Sequence, residues 1–143
     1  MKIMAVDFGD ARTGLAMCDK TEFLASPIGV IHEKRFEHAV EKVAAAALEN
    51  KAEAVIVGLP LNMNGSEGPR AELCREFASQ LAQHGVTVPI RMWDERQTTV
   101  SAAGYLNQTD TRGKKRKEVI DAVAAVIILD SYLQWRKNHP GEF

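Results

Sequence analysis

Cysteine is scarce in this chain of 143 residues, and the two present, Cys18 and Cys74, are far apart in sequence. They form no CxxC pair and share no His/Cys ligand spacing, which excludes a disulfide framework and predicts buried thiols in a reducing compartment. Charge of either sign is nearly balanced, with 18 Lys and Arg against 19 Asp and Glu for a formal net charge of −1. No global field therefore draws the chain to nucleic acid or membrane, and any polyanion site has to come from local clustering. Long apolar runs are missing: the longest, Ala122 to Leu129, is far short of the roughly 20 residues that span a bilayer. The N-terminus carries one lysine and a short apolar stretch interrupted by Asp7, unlike a secretory signal, so the expected location is cytoplasmic. His32, His38, His84 and His139 have no motif spacing and are not assigned to zinc. The chain has no Ser or Cys nucleophile signature and no GxxxxGK[ST] phosphate loop.

What is present is the composition of an ordinary globular domain, 45% hydrophobic and 26% charged, read here as one domain over residues 1–138 with a short tail at 139–143. Lys2 to Asp7, Thr13 to Cys18 and Phe23 to Val30 read as three strands of an antiparallel meander, separated by Gly9 and by the polar turn Asp19 to Glu22. Phe36 to Leu48 has helical spacing of Ala and Val. Ala54 to Val57 is a β-branched run ending at Gly58. Pro69 opens a second helix that runs to about His84, with Gly85 as its stop, and Val86 to Trp93 reads as a further strand. Thr98 or Thr99 caps a short helix toward Leu106, Asn107 to Gly113 is a polar connection, and a last helix runs from near Lys115 to about Lys137. A meander followed by helix, strand, helix, strand and terminal helix predicts a five-stranded mixed α/β sheet, three strands antiparallel and two parallel, flanked by helices. Ligands of such sheets collect at the carboxyl ends of the parallel strands.

Three acids fall where that rule points. Asp7 closes the first strand, Glu95 follows the last, and Asp121 lies in the terminal helix among core-type residues. Each has an ordinary explanation: a turn cap, a solvated strand end, a helix-surface pair with Lys117. Together they need three separate explanations where one metal site suffices. Carboxylates crowded in a partly dry site repel one another and demand a proton or a cation, and an all-oxygen set suits Mg²⁺ or Mn²⁺. Such ions activate water and stabilise the leaving oxygen in phosphodiester hydrolysis, so Asp7, Glu95 and Asp121 are the candidate catalytic and metal-binding residues.

The expected partner is nucleic acid, structured RNA or alternatively branched DNA. Arg112 to Lys117 places five cations in six positions, counting Arg112, Lys114, Lys115, Arg116 and Lys117, just before the helix of Asp121. A charge run is more often a solvated face, but beside a metal site this one suits phosphate contacts that do not read sequence. Asn62, Asn64, Gly65 and Ser66, in a glycine-containing loop ahead of a helix, offer amides and N–H groups to a phosphate. Arg12, Arg96, Gln97, Thr98 and Thr99 are further candidates to line the cleft.

Read in order, Ala5-Val6-Asp7-Phe8-Gly9 with Arg12 and Gly14, Val57 to Asn62, Gly65 to Gly68, Trp93 to Arg96, and Lys115-Arg116-Lys117 with Ile120-Asp121-Ala122 resemble the YqgF (RuvX-type) family over nearly the whole chain. The resemblance implies a ribonuclease H-like fold and a cytoplasmic nuclease maturing the 5′ end of the small-subunit ribosomal RNA precursor. An older family name is Holliday junction resolvase. It also implies that Asp7, Glu95 and Asp121 are the acids of the first strand, of the Trp93-Asp94-Glu95-Arg96 motif and of the last helix. Two departures stand out. Ala11 occupies a place where many relatives carry lysine, and Val57-Gly58-Leu59-Pro60 supplies no acid on the strand beside the first. Glu95 therefore has to reach across, or Glu67 or Asp94 takes its role. Two other readings are a non-catalytic nucleic-acid binder and a phosphotransferase suggested by Asp7-Phe8-Gly9. The second lacks the upstream motifs of protein kinases and the two lobes of actin-like ATPases.

Overall fold

The computed structural model describes residues 1–98 and 113–143, with residues 97–98 and 113–121 described by backbone alone. Its strands are β1 (Ile3–Asp7), β2 (Arg12–Cys18), β3 (Ala25–His32), β4 (Ala54–Leu59) and β5 (Ile90–Asp94), and its helices are α1 (Phe36–Glu49), α2 (Pro69–Gln83) and α3 (Gly113–Asn138). A 3₁₀ turn, Glu95–Thr98, follows β5 directly. The sheet order is β3-β2-β1-β4-β5. β1, β2 and β3 pair antiparallel, while β4 runs parallel to both β1 and β5. This is the mixed five-stranded sheet expected from the element order.

β1 and β4 are continuous apolar runs because helices cover both sides of the sheet. The two-residue period of a strand divides their side chains. Met4, Val6, Val55 and Val57 pack with α1 and α2, where Val40, Val43, Phe77 and Leu81 are fully buried. Ile3, Ala5, Ala54 and Ile56 pack with Ala125, Ile128, Leu129 and Tyr132 of α3. Asp7 therefore belongs to the α3 face. Cys18 and Cys74 are both buried and unbridged, one in each layer. Among the described residues no helix is long and apolar enough to cross a membrane.

Several strand boundaries differ from the sequence reading, among them the end of β3, which continues past Val30 to His32. β3 starts at Ala25, not Phe23: Glu22 turns the chain with φ 58°, and Phe23 and Leu24 are left 77% and 62% exposed. β5 starts at Ile90, not Val86, because Pro89 has no N–H to offer the ladder and pairing begins where its carbonyl accepts from Val55 N at 2.9 Å. β4 continues past Gly58 to Leu59, which pairs with Asp94. The short helix expected toward Leu106 falls on residues 99–112, outside the described residues, as does the polar connection apart from Gly113.

Candidate active site

Because β1, β4 and β5 are parallel, their carboxyl ends share one edge of the sheet and bring the ends of three separate segments together. Asp7 is the last residue of β1 and Glu95 the first residue after β5. Their side chains hydrogen-bond to each other, across the width of β4. A hydrogen bond between two carboxyl groups requires a proton on one of them. Burial pushes the Glu95 carboxyl above the usual range, the Asp7 contact and the charge of Arg70 oppose the rise, and the charge of Asp94 adds to it.

The two alternative second acids are each paired with an arginine. Asp94 turns to Arg96, whose Nη2 donates to its Oδ2 at 2.7 Å and whose Nε reaches both carboxylate oxygens at 3.1 Å. That guanidinium holds Asp94 below the usual carboxylate range. Glu67 receives two hydrogen bonds of 2.7 Å from Arg75 and is likewise lowered.

The loop after β4 is built by its own polar groups. Leu61 and Glu67 form an isolated antiparallel bridge. Inside it, Gly65 N donates to Asn62 O at 2.8 Å, Asn62 N to Ser66 O at 2.9 Å, and Ser66 Oγ to Asn64 Oδ1 at 2.6 Å. Gly65 has φ 86°, a conformation open to glycine at little cost. Arg96 lies against this loop, with Nη1 3.4 Å from Met63 O and 3.4 Å from the point where a Cβ on Gly65 would stand. The structure thus brings Asn62, Asn64, Gly65, Ser66 and Arg96 together. Arg12 opens β2 at a position that shares its two-residue phase with Gly14, the partner of Asp7, and with Ala16 of the α3 face. Lys114, Lys115, Arg116, Lys117 and Asp121 lie in α3 and Thr98 in the 3₁₀ turn. Their side chains lie outside the described residues.

Sequence reasoning missed Arg70, the second residue of α2. Its Nη2 donates to Phe8 O at 2.6 Å, its Nη1 to Asp10 Oδ1 at 2.6 Å, and its guanidinium lies over the Phe8 ring at 5.2 Å. Phe8 in turn stacks on Phe77 at 4.4 Å. Arg70 ties the turn after Asp7 to α2 and adds positive charge near Glu95. In the sequence it is one more polar residue in a helical first turn, and only the fold reveals its partners.

The donor chemistry fits a hard divalent cation. Two carboxyl groups in contact, one of them raised by burial, form an oxygen-only set whose crowded charge a cation would neutralise. Among the described residues no group of three acidic, His or Cys side chains gathers in one place. The third expected acid, Asp121, is one whose side chain is not described.

Fold and site together define a chain of the ribonuclease H-like fold, with an acidic pair at the carboxyl edge of its parallel strands. The RuvX family, described as Holliday junction resolvase, matches residues 1–135, and the chain belongs to that family. A relative from Halothermothrix orenii, named "Putative pre-16S rRNA nuclease", is 43% identical over 141 residues, covering 99% of this chain and 100% of its own. A namesake from Listeria monocytogenes is 42% identical over 135 residues, covering 93% of this chain and 97% of its own. Among solved structures, T. thermophilus RuvC in complex with a Holliday junction substrate superposes with a TM-score of 0.60 at 16% identity, covering 94% of this chain and 96% of that one. Fowlpox virus Holliday junction resolvase superposes with a TM-score of 0.56 at 16% identity, covering 94% and 99%. At such identities these two structures establish the fold alone.

Proposed function

We propose that this chain is a divalent-metal-dependent nuclease that hydrolyses phosphodiester bonds in structured RNA, at the 5′ end of the 16S ribosomal RNA precursor, acting in the cytoplasm as one domain of residues 1–138. The observation that carries the reading is the Asp7–Glu95 carboxyl pair at the carboxyl edge of the parallel strands, in a chain 43% identical to a relative named for that substrate. Asp7, Glu95 and, from α3, Asp121 would hold Mg²⁺ or Mn²⁺. Such an ion supplies charge neutralisation and an activated water to phosphodiester hydrolysis.

The remaining work falls to the chain itself. Burial raises the Glu95 carboxyl, so at this pair a proton would compete with a cation and occupancy would fall as pH falls. Arg96 stands beside Glu95 and against the loop of Asn62, Asn64, Gly65 and Ser66. This cluster is suited to hold a phosphate next to the acids and to orient the scissile bond, while Arg12, Thr98 and the cations of Lys114 to Lys117 hold the flanking strand through its phosphates.

The family description favours a second substrate, the Holliday junction, and one experiment separates the two. Purified protein with Mn²⁺ or Mg²⁺ is given a 16S precursor fragment, single strands and four-way DNA junctions in competition. Cleavage of the precursor at its 5′ end, with Asp7→Asn reducing the rate at least about a thousandfold while binding is retained, is the expected result. Preferential cutting of the junction would move the assignment to branched DNA. Binding without any turnover would leave a non-catalytic binder.

A further inference from the structure

The strand register explains how Glu95 reaches Asp7. One rung beyond the Val6–Val57 pair, Asp7 faces Gly58 of β4, and Gly58 is paired with Trp93 of β5. All three positions are on the α3 face, with Ile56 and Trp93 in its core. Any side chain at position 58 would therefore rise between Asp7 and Glu95. The space it would need is already filled: an ideal Cβ on Gly58 would lie 2.6 Å from Oε1 of Glu95, 3.1 Å from its Cδ and 2.7 Å from Cδ1 of Ile128. Gly58 is not among the residues with positive φ, so what this position demands is room rather than an unusual backbone.

We infer that Gly58 is a positioning residue whose missing side chain admits the Glu95 carboxylate to Asp7, and that an aspartate at 58 would deliver an equivalent carboxylate from β4. The carboxylate oxygens of an aspartate lie two bonds from its Cβ, and Glu95 Oε1 lies 2.6 Å from the same point, so the two side chains compete for one place. The second acid of the site is thus exchangeable between neighbouring strands, provided only one is present. Its use as a cation ligand rests on the function proposed above, whereas the steric claim does not.

Two measurements test this separately. The first is the crystal structure of metal-free Gly58→Ala. Both crowded atoms are ends of flexible side chains, so the variant is expected to fold, with the Glu95 carboxylate displaced beyond hydrogen-bonding distance of Asp7. A carboxylate still in place would overturn the inference. Should Gly58→Ala not fold, Gly58→Ala/Glu95→Ala is expected to recover the fold, and its failure to do so would count against Glu95 as the crowding group.

The second measurement is Mn²⁺ binding by calorimetry, with folding verified by circular dichroism. Glu95→Ala and Gly58→Ala should each weaken binding by about tenfold or more, Gly58→Asp/Glu95→Ala should return it to near the wild-type value, and Gly58→Asn/Glu95→Ala should not. A folded Gly58→Asp/Glu95→Ala that binds no better than Glu95→Ala would refute the exchange. If Glu95→Ala binds Mn²⁺ like the wild type, the cation reading fails while the crystal structure still judges the role of Gly58.

Discussion

Two half-buried glutamates meet opposite fates in this molecule. Glu22, in the turn before β3, accepts from Arg136 Nε at 2.5 Å and Nη2 at 3.1 Å and from the Met1 ammonium at 2.8 Å. The Arg136 hydrogen bond, with help from the N-terminus, holds it below the usual carboxylate range. Glu95 is met instead by a second acid, and burial holds it above that range. Burial of a carboxylate is costly, and a chain offsets the cost with its own cations wherever the group serves the fold. At Glu22 this chain does so with a residue 114 positions away. At Glu95 the nearest acid is brought closer, and Arg70 directs its hydrogen bonds to Phe8 O and Asp10. The difference separates a carboxylate lowered by the fold's own cations from one raised by burial against a second acid.

The largest stability effect is expected on the Glu22 side. Arg136→Ala removes two charge-assisted hydrogen bonds from a carboxylate that stays partly buried, at a cost of about 2 kcal/mol, or roughly 6 °C in melting midpoint for a chain of this size. A lowered folded-state value means the stabilisation is present above the ordinary glutamate value of 4.5 and is lost as pH falls through the folded value below it. The gap between wild type and Arg136→Ala in urea melts should therefore be full at pH 7 and shrink below 4.5. A gap independent of pH would show that Arg136 acts by packing alone.

Glu95→Gln should move stability the other way. The raised folded-state value means that the contribution of Glu95 is complete below its ordinary value of 4.5 and is lost as pH rises through the higher folded value, so ionising Glu95 beside Asp7 costs the metal-free protein stability as pH rises. A neutral amide can still donate to Asp7. The variant is expected to be more stable than wild type by on the order of 1 kcal/mol at pH 7 without metal, to match it near pH 4, and to lose the stabilisation that Mn²⁺ confers on the wild type. Thermal melts with and without Mn²⁺ at the two pH values check all three. Destabilisation at pH 7 would place Glu95 in the same structural class as Glu22.

This contrast was only half legible in the sequence. Asp7 and Glu95 stand at the ends of apolar runs, and a strand-end acid beside a turn signals itself through the two-residue period and the parallel-sheet rule. The first helix was readable from the helical spacing of its Ala and Val, Val40 and Val43 among them, and the second from Pro69 at its start and Gly85 past its end. What could not be read is whatever depends on register between distant strands. That Gly58 lies between the two acids follows from how β1, β4 and β5 align, and no local pattern encodes it. Arg70 and Arg136 are alike in sequence, each a cation on a helix, yet one clamps the turn after Asp7 and the other neutralises Glu22. Phe23 and Leu24 misled in the opposite sense: two apolar residues read as strand, but the turn at Glu22 leaves them in solvent.

The smallest effect should come from a second ion pair, one with two equally short hydrogen bonds. Arg75 and Glu67 are joined by two hydrogen bonds of 2.7 Å, but their side chains are 51% and 35% exposed, against 20% and 22% for Arg136 and Glu22. Water solvates both partners before and after the pair forms, and salt screens what attraction is left. The loop that carries Glu67 also keeps its shape by other means, through the Asn62–Ser66 and Asn64–Ser66 hydrogen bonds. Arg75→Ala should therefore leave the melting midpoint within replicate scatter of the wild type at both low and high salt. A loss comparable to that of Arg136→Ala would mean that bond geometry, not burial, decides which of this protein's ion pairs hold it together, and the distinction between Glu22 and Glu95 would need a different physical basis.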